Sequence, residues 1–322
     1  MNRPVFHCLL MAVWLTLLLT GCFGGAAPVR PQAQLQAETA LNRGIRAQQK
    51  GDSAGAVTFL TQSLTISSSI EDVPARVTAL INLARLHRLQ HDLPMAETYI
   101  DRALATSADA PRFAAEAAYE KALVELFKGA PATALAWAEK SIIAEQGDAL
   151  GSRLNLAARI QFVRGEWGAA GVLAGKALGA NRLAGQAEEE ANSLRILGGV
   201  ARHEKRYAAG LEFLQEALLI DKRIGKSGKI AVDLEELAAT AQDAGRLKES
   251  AAWLERACEV HRAGGRLRQA QENQAALANL YTALGEPLKA DLAREAARKS
   301  VLPDGSQGSG NPSTTINPSS NP

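Results

Sequence analysis

Small and apolar residues recur along the chain with the period of a helix, and the helical stretches come in pairs. The clearest pair is joined at residues 91–104, where Ala96 and Ala103 follow the turn residue His91 by five and twelve positions. A later stretch repeats helical spacing at Leu234, Leu237, Ala238 and Ala241. Residues at this spacing share one face of a helix, so the pattern predicts an all-α chain.

The turn itself recurs about every 40 residues along most of the sequence. The turn residues are Gly51, His91, Gly129, Gly165, Lys205, Gly245 and Gly285. Three positions are defined relative to each turn residue: seven residues before it, five after it and twelve after it. All 21 of these positions hold Gly, Ala or Ser. Antiparallel helices cross closely only where side chains are small, so the spacing predicts about seven helix-turn-helix units stacked as an α-solenoid.

This repeat resembles the tetratricopeptide repeat (TPR), a two-helix unit with small residues at three fixed places and Gly at the turn. The resemblance covers about residues 38–302. The early Trp and late Pro of the family are absent, and the period exceeds the usual length of about 34 residues. Longer units imply longer helices or longer loops. The resemblance also implies that the first helix of each pair lines a concave groove.

The N-terminus predicts export and lipid attachment. Arg3 precedes an apolar run from Val5 to Thr20, as in a secretory signal of residues 1–21. The sequence Leu-Thr-Gly-Cys at 19–22 resembles the lipobox of bacterial lipoproteins, which implies cleavage before Cys22 and its acylation. An ordinary signal peptide that ends near a Cys is the alternative. By resemblance to Gram-negative sorting, Phe23 after the Cys implies a lipoprotein on the periplasmic face of the outer membrane.

Composition divides the rest of the chain into three parts. Residues 22–37, rich in Gly, Ala, Pro and Gln, are predicted to be the lipidated Cys and a flexible tether. Residues 38–302 form the predicted repeat array. Residues 303–322, rich in Ser, Asn, Gly and Pro, are predicted to be a disordered tail because they have almost nothing apolar to bury.

Charge and motifs argue against several functional classes. The net charge of +2 gives no drive toward nucleic acid. The sequence has no glycine-rich phosphate loop, nucleophile elbow or paired-cysteine metal motif, so we expect no cofactor, no metal and no enzymatic activity. His87 and His91, beside Asp92, are the best metal candidates, but a solvated helix end is favoured. Cys258, the only thiol of the predicted mature chain, suits a small buried hydrophobe.

The TPR resemblance selects candidate binding residues three, six and ten positions before the turn residues. They are Arg85, Arg88, Tyr119, Asn155, Arg159, Phe162, Arg195 and Arg202. Arginine forks bind carboxylates, so this set predicts an acidic protein or peptide partner. The alternative is that the arginines pair with carboxylates on neighbouring helices, such as those of residues 188–190, and bind nothing.

These observations predict a non-enzymatic, lipid-anchored scaffold that helps to assemble a cell-envelope machine of pilus, secretion or outer-membrane type. Its plan is similar to that of the pilotin lipoproteins of type IV pili. An adaptor that recruits peptidoglycan enzymes is a second hypothesis. An enzyme with a helical-repeat active site is a third, and a cytoplasmic peptide-sensing TPR regulator is a fourth.

Overall fold

A computed structural model describes residues 30–298 of the chain, and this described range contains fourteen α-helices, one 3-10 helix at Pro111–Phe113 and no strand. The α-helices form seven pairs: α1 (Gln32–Gln49) with α2 (Ser53–Ser69), α3 (Val73–Leu89) with α4 (Leu93–Ser107), α5 (Ala114–Phe127) with α6 (Pro131–Ala144), α7 (Leu150–Val163) with α8 (Trp167–Leu183), α9 (Ala187–His203) with α10 (Tyr207–Arg223), α11 (Ser227–Asp243) with α12 (Leu247–Ala263), and α13 (Leu267–Ala283) with α14 (Pro287–Arg298). The predicted signal segment, Cys22 and the tail lie outside the described residues.

Each predicted turn residue ends the first helix of its pair in the left-handed conformation. The glycines among them have φ between 72° and 79°, while His91 and Lys205 have φ of 61° and 60°. The following residue donates its N–H back into the last turn, as Asp92 does to the carbonyl of His87 at 2.9 Å. This arrangement satisfies carbonyls that a helix end leaves free, and glycine adopts it without steric cost.

The long repeat comes from long helices. From α9 to α13 every helix has 17 residues, and short turns join them. The two shorter intervals, which end at Gly129 and Gly165, coincide with the 14-residue helices α5, α6 and α7. Helix length therefore sets the period of about 40 residues, which the sequence alone leaves open between helices and loops.

The small residues lie where the helices of a pair cross. All 21 predicted small positions are buried except Ala297, which is half-buried. A Cβ added to Gly44 would lie 2.7 Å from Cγ of Leu60, and one added to Gly198 would lie 2.7 Å from Cγ of Leu214. There is no room at these crossings for a side chain. The fold prediction, an α-solenoid of about seven TPR-like pairs, is confirmed.

We expect Ala170→Leu to lower the free energy of unfolding by about 1–3 kcal/mol, because it overpacks a helix crossing. Ala170 is fully buried between Phe162 and Val200. Thermal melting of the variant beside Gly175→Ala, an exposed site with open space around its Cβ, measures the effect. An unchanged melting temperature for Ala170→Leu would mean that the crossing is not where the structure places it.

Neighbouring pairs are joined through one position of the second helices, thirteen residues after the turn residue. The side chain at this position packs against the next pair. The residues found there are Leu64, Leu104, Ile142, Leu178, Leu218 and Cys258. Cys258 is 1% exposed, and burial raises the pKa of its thiol to about 11, as expected for a small buried hydrophobe. The last described pair has the exposed Arg298 at this position.

The first helices form the inner side of the solenoid. The first helices of successive pairs contact one another, notably α7 with α9 and α3 with α5, whereas second helices pack chiefly on the helices before and after them in the chain. We call the surface of the first helices the inner surface. None of the described helices is both long enough and apolar enough to cross a membrane.

The array starts earlier than the predicted boundary at residue 38. Helix α1 begins at Gln32, within the segment predicted to be part of a flexible tether. Ala37 is fully buried, and its carbonyl accepts a hydrogen bond from Oγ of Ser63 at 2.9 Å. Packing on α2 therefore extends the helix through residues that show no apolar period of their own.

Candidate functional site

A ladder of polar contacts connects successive first helices along the inner surface. Its first rungs join α3 to α5 through Arg85 and Arg88. Nη2 of Arg85 contacts Oε1 of Glu116 at 2.5 Å, and Nε of Arg88 contacts Oε1 of Glu120 at 2.5 Å. Burial alone would lower the pKa of Arg85, but Glu120 and Glu116 hold it above its ordinary value. Both arginines are thus committed to carboxylates of the protein itself.

Arg153 extends this cluster from α5 to α7. Its Nη2 lies 2.5 Å from Oε2 of Glu116, and its Nε lies 3.1 Å from Oε2 of Glu145. The guanidinium lies over the ring of Tyr119, 4.5 Å from the centroid. Tyr119, a predicted aromatic platform, therefore already carries a cation on one side.

Asn155 joins α7 to α9. Its Nδ2 donates to the backbone carbonyl and to Oε2 of Glu189, both at 2.9 Å, and its Oδ1 accepts from Oγ of Ser193 at 2.7 Å. The side chain is buried and uses its hydrogen-bonding groups within the array. It is a structural link between two repeats.

Arg195 joins three helices at the next junction. It donates through Nε to Oδ1 of Asp233 on α11 at 2.6 Å, and through Nη2 to Asp221 in the last turn of α10. Both aspartates are fully buried. Burial opposes the charge of Arg195, but Asp233 and Asp221 hold its pKa above the ordinary value. This arginine is part of the core between two pairs.

Arg202 makes the same kind of contact as Arg88. Its Nη1 lies 2.9 Å from Oε2 of Glu236, and its Nε lies 3.1 Å from Oδ2 of Asp243. Arg88 and Arg202 both stand three residues before a turn residue, and Glu120 and Glu236 both stand nine residues before the next one. The ladder thus follows a rule that can be read from the repeat spacing.

Phe162 packs in an aromatic cluster and contributes little open surface. It is 9% exposed, and it meets Trp167 edge-on with ring centroids 4.9 Å apart. His203 stacks on Trp167 at 4.0 Å. The cluster covers the junction of α7, α8 and α9, so Phe162 is mainly a core residue.

Arg159 differs from the other predicted arginines. Its side chain is exposed, and within residues 30–298 it has no hydrogen bond and no ion pair. Burial by the surrounding inner surface lowers its pKa, and Arg88 lowers it further, while Tyr119 and Glu189 oppose this shift. Arg159 therefore presents a partly desolvated guanidinium that forms no ion pair in the described structure.

The repeat register explains why Arg159 is unpaired. Arg159 and Arg85 both stand six residues before a turn residue, and the carboxylates that bind Arg85 stand thirteen and nine residues before the next one. The corresponding positions that follow Arg159 are Asn192 and Ile196. Neither side chain is charged, so the local sequence leaves this guanidinium available to another carboxylate.

The sequence interpretation missed a second cation of this kind, Lys229 at the start of α11. Its Nζ contacts Oδ1 of Asn192 at 3.3 Å, and no ion pair is present at this lysine within the described range. Burial, together with Arg195, lowers its pKa. Lys229 stands sixteen residues before its turn residue, beyond the positions that the TPR resemblance selected.

Most of the predicted arginines are paired within the array, but their partners are not the predicted carboxylates of residues 188–190. Arg85, Arg88, Arg195 and Arg202 are all engaged in ion pairs. The carboxylates of residues 188–190 contact Lys226, Asn155 and Arg182 instead. Arg159 is the predicted residue that the geometry leaves free to bind, and its binding role stays a prediction.

The candidate metal ligands have other partners. Nδ1 of His87 lies 3.0 Å from Oδ2 of Asp92, and its ring stacks on Tyr99. His91 packs near Phe127 with centroids 6.2 Å apart. Across residues 30–298, no three His, Cys, Asp or Glu side chains are grouped closely enough to hold a metal ion.

Helix pairs that cross at small residues and stack by their first helices define the chain as an α-solenoid repeat protein. Residues 35–109 and 189–263 match the family model described as tetratricopeptide repeat. These segments span the first two pairs and the fifth and sixth pairs. These two segments match the family model, and the helix pairs of the whole described range have the same tetratricopeptide-like arrangement. No curated protein sequence matches it.

Several solved structures share the fold. A Rap protein complexed with competence and sporulation factor is 14% identical, with a TM-score of 0.60 over 82% of this chain and 76% of that one. A STAND ATPase with a tetratricopeptide repeat sensor from Pyrococcus horikoshii is 16% identical, with a TM-score of 0.65 over 81% of this chain and 41% of that one. PilW, a type IV pilus biogenesis factor, is 12% identical, with a TM-score of 0.54 over 68% of this chain and 91% of that one. Such low identities show a common fold alone.

Proposed function

We propose that the chain is a non-enzymatic scaffold that binds a protein or peptide partner on its inner surface. The observation that carries this proposal is the free guanidinium of Arg159, next to Tyr119, in the middle of that surface. The match of residues 35–109 and 189–263 to the tetratricopeptide repeat model supports a protein or peptide as the partner. A carboxylate of this partner, from an acidic side chain or a C-terminus, is the group that Arg159 contacts.

The surroundings of Arg159 favour this kind of binding. The polar contacts hold the neighbouring first helices in place on both sides of Arg159. The backbone that carries its guanidinium is therefore already ordered, and little conformational entropy is lost when a partner binds. Desolvation has weakened its contact with water, and a carboxylate would restore two charge-assisted hydrogen bonds. An arginine that was already paired would have to break an internal contact first.

We expect Arg159→Glu to weaken partner binding by about tenfold or more, because it removes a charge-assisted contact and adds repulsion. The measurement is crosslinked pull-down from native envelopes followed by quantitative mass spectrometry. Arg164→Glu is the matched control, since Arg164 is an exposed arginine that follows the same helix and hydrogen-bonds only Gln161 in the described structure. Equal recovery of partners by the Arg159 variant would remove Arg159 from the proposed site.

The location of the scaffold is the second part of the proposal. We propose that Cys22 carries lipid and holds the array on the periplasmic face of a membrane, the outer membrane in a Gram-negative cell. The lipobox resemblance at 19–22 supports the lipid. The fold similarity to PilW, a type IV pilus biogenesis factor, supports an envelope machine as the place of action.

We expect Cys22→Ser to release the protein from the membrane fraction and to abolish labelling by a fatty-acid analogue. Cys258→Ser is the control, because Cys258 is buried in the core and its loss leaves the lipidation sequence intact. Fractionation with immunoblotting measures release. Retention of the Cys22 variant in membranes would instead indicate an uncleaved N-terminal segment as the anchor.

A peptide-sensing regulator is the second candidate function, and the structural similarities favour it. The Rap complex contains the competence and sporulation factor, and the STAND protein has a TPR sensor. A cytoplasmic regulator would leave Cys22 without lipid, so fatty-acid labelling distinguishes the two functions.

The scaffold could also be an adaptor that recruits peptidoglycan enzymes. Recovery of peptidoglycan hydrolases with the wild-type protein in the pull-down would identify that form of the scaffold.

A further inference from the structure

Two buried carboxylates share one arginine at the junction of the fifth and sixth helix pairs. Asp221 and Asp233 are both 0% exposed. Arg195 donates to one oxygen of each, which leaves Oδ1 of Asp221 and Oδ2 of Asp233 buried without a hydrogen-bond partner in the described structure. Orphan oxygens of this kind are costly, since buried polar atoms nearly always have a partner.

The charges around the pair do not balance two ionised aspartates. Arg195 on α9 is the cation that contacts both aspartates, while Lys226 and Lys229 act on Asp221 without forming an ion pair with it in the described structure. Lys226 is turned toward Glu188 at 2.8 Å, and Lys229 contacts Asn192. One guanidinium therefore contacts two carboxylates, so the triad of Arg195, Asp221 and Asp233 would carry one excess negative charge in the core if both aspartates were ionised.

We propose that Asp221 and Asp233 hold one proton between them, and that release of this proton loosens the junction between the fifth and sixth pairs. The two carboxyls are within hydrogen-bonding reach of each other, so a proton on one can be donated to the other and a buried oxygen gains a partner. The triad is then neutral overall. Loss of the proton removes this hydrogen bond and places two like charges side by side.

The electrostatic environment agrees with this assignment. Burial raises the pKa of Asp233 to about 7, with Asp221 acting in the same direction and Arg195 against it.

The direction of the pH effect follows from linkage. The ordinary pKa of 3.8 applies in the unfolded or opened chain, and the value of about 7 applies in the closed one. The contribution of the proton to stability is complete below about pH 4, falls as the pH rises to about 7, and is absent above that. Because the triad connects α9, α10 and α11, the loss is felt at one junction of the array.

The proton is tested directly by a carbon-13 NMR titration of the full chain labelled at aspartate carboxyls. One aspartate signal should titrate near pH 7 and be absent from Asp233→Asn, with Asp221→Asn used to assign its partner. The amide introduced by Asp233→Asn would keep the contact with Arg195 and donate to Asp221 as a protonated carboxyl does. Titration of every wild-type aspartate below pH 5 would overturn the proposal, and this result needs no variant.

The effect on the junction is tested by hydrogen exchange of α10 and α11. After correction for intrinsic exchange, the opening constant of wild type should rise about tenfold for each pH unit between pH 5 and pH 7, then level off. The same helices in Asp233→Asn should lack this rise. An identical pH dependence in both proteins would show that the proton does not control the junction.

Discussion

Arg195→Ala is expected to lower the free energy of unfolding by about 3–5 kcal/mol, since it removes one partner of a buried ionic cluster. Asp221 and Asp233 would stay fully buried without their shared cation, and two further carboxylate oxygens would lose their hydrogen-bond donor. The loss should appear in urea denaturation and as increased hydrogen exchange at the junction of α9, α10 and α11.

Arg206→Ala is the matched control for Arg195→Ala. Arg206 contacts Glu204 at 2.5 Å, but both side chains are exposed, so we expect a loss below about 1 kcal/mol. A similar small loss for Arg195→Ala would contradict the buried role of that arginine. It would then return Arg195 to the set of candidate ligand-binding residues.

Glu120→Ala is expected to lower the free energy of unfolding by a similar amount, about 3–5 kcal/mol. Glu120 is fully buried and accepts from Arg85 at 3.3 Å and from Arg88 at 2.5 Å. Arg88 is itself only 6% exposed and would be left without a carboxylate. Its guanidinium would keep only the face of the Phe127 ring, 5.1 Å from the centroid.

Glu120→Gln separates charge from shape in this cluster. The amide keeps one acceptor oxygen for the arginines, so urea denaturation should show a smaller loss than for Glu120→Ala. Glu249→Ala, at a partly exposed carboxylate 3.6 Å from Arg246, serves as the surface control. Equal stability of Glu120→Ala and this control would show that the rung between α3 and α5 contributes nothing measurable.

The sequence predicts most of the fold because each element carries a local signal. A turn residue with positive φ, three small residues at fixed distances and helical apolar spacing recur in every pair. Helix α1 is the exception at its start. Residues 32–36 are polar or partly exposed, so only packing of Ala37 against α2 shows that the helix begins at Gln32. Tertiary packing extends that helix beyond its own pattern.

The sequence predicts less of the candidate site. Repeat register identifies which residues stand on the inner surface, but pairing depends on residues that lie 31 to 38 positions away, such as Asp233 for Arg195. The rule that a carboxylate nine positions before the next turn residue binds an arginine is visible once Arg88 and Arg202 are compared. Comparison of Arg159 with Arg85, at the same repeat position, finds the uncharged Asn192 and Ile196 where the carboxylate partners of Arg85 would stand. The desolvation of Lys229 is visible only in the folded structure.

Site-specific photocrosslinking in cells tests most directly whether the inner surface binds the partner. A photoreactive phenylalanine analogue replaces Tyr119, beside Arg159 on the inner surface, or Val172, which is 60% exposed on the second helix α8. Position 119 should give a covalent adduct with a discrete partner, and position 172 should not. Adducts from position 172 with none from position 119 would place binding on the outer helices and contradict a binding role for the inner surface.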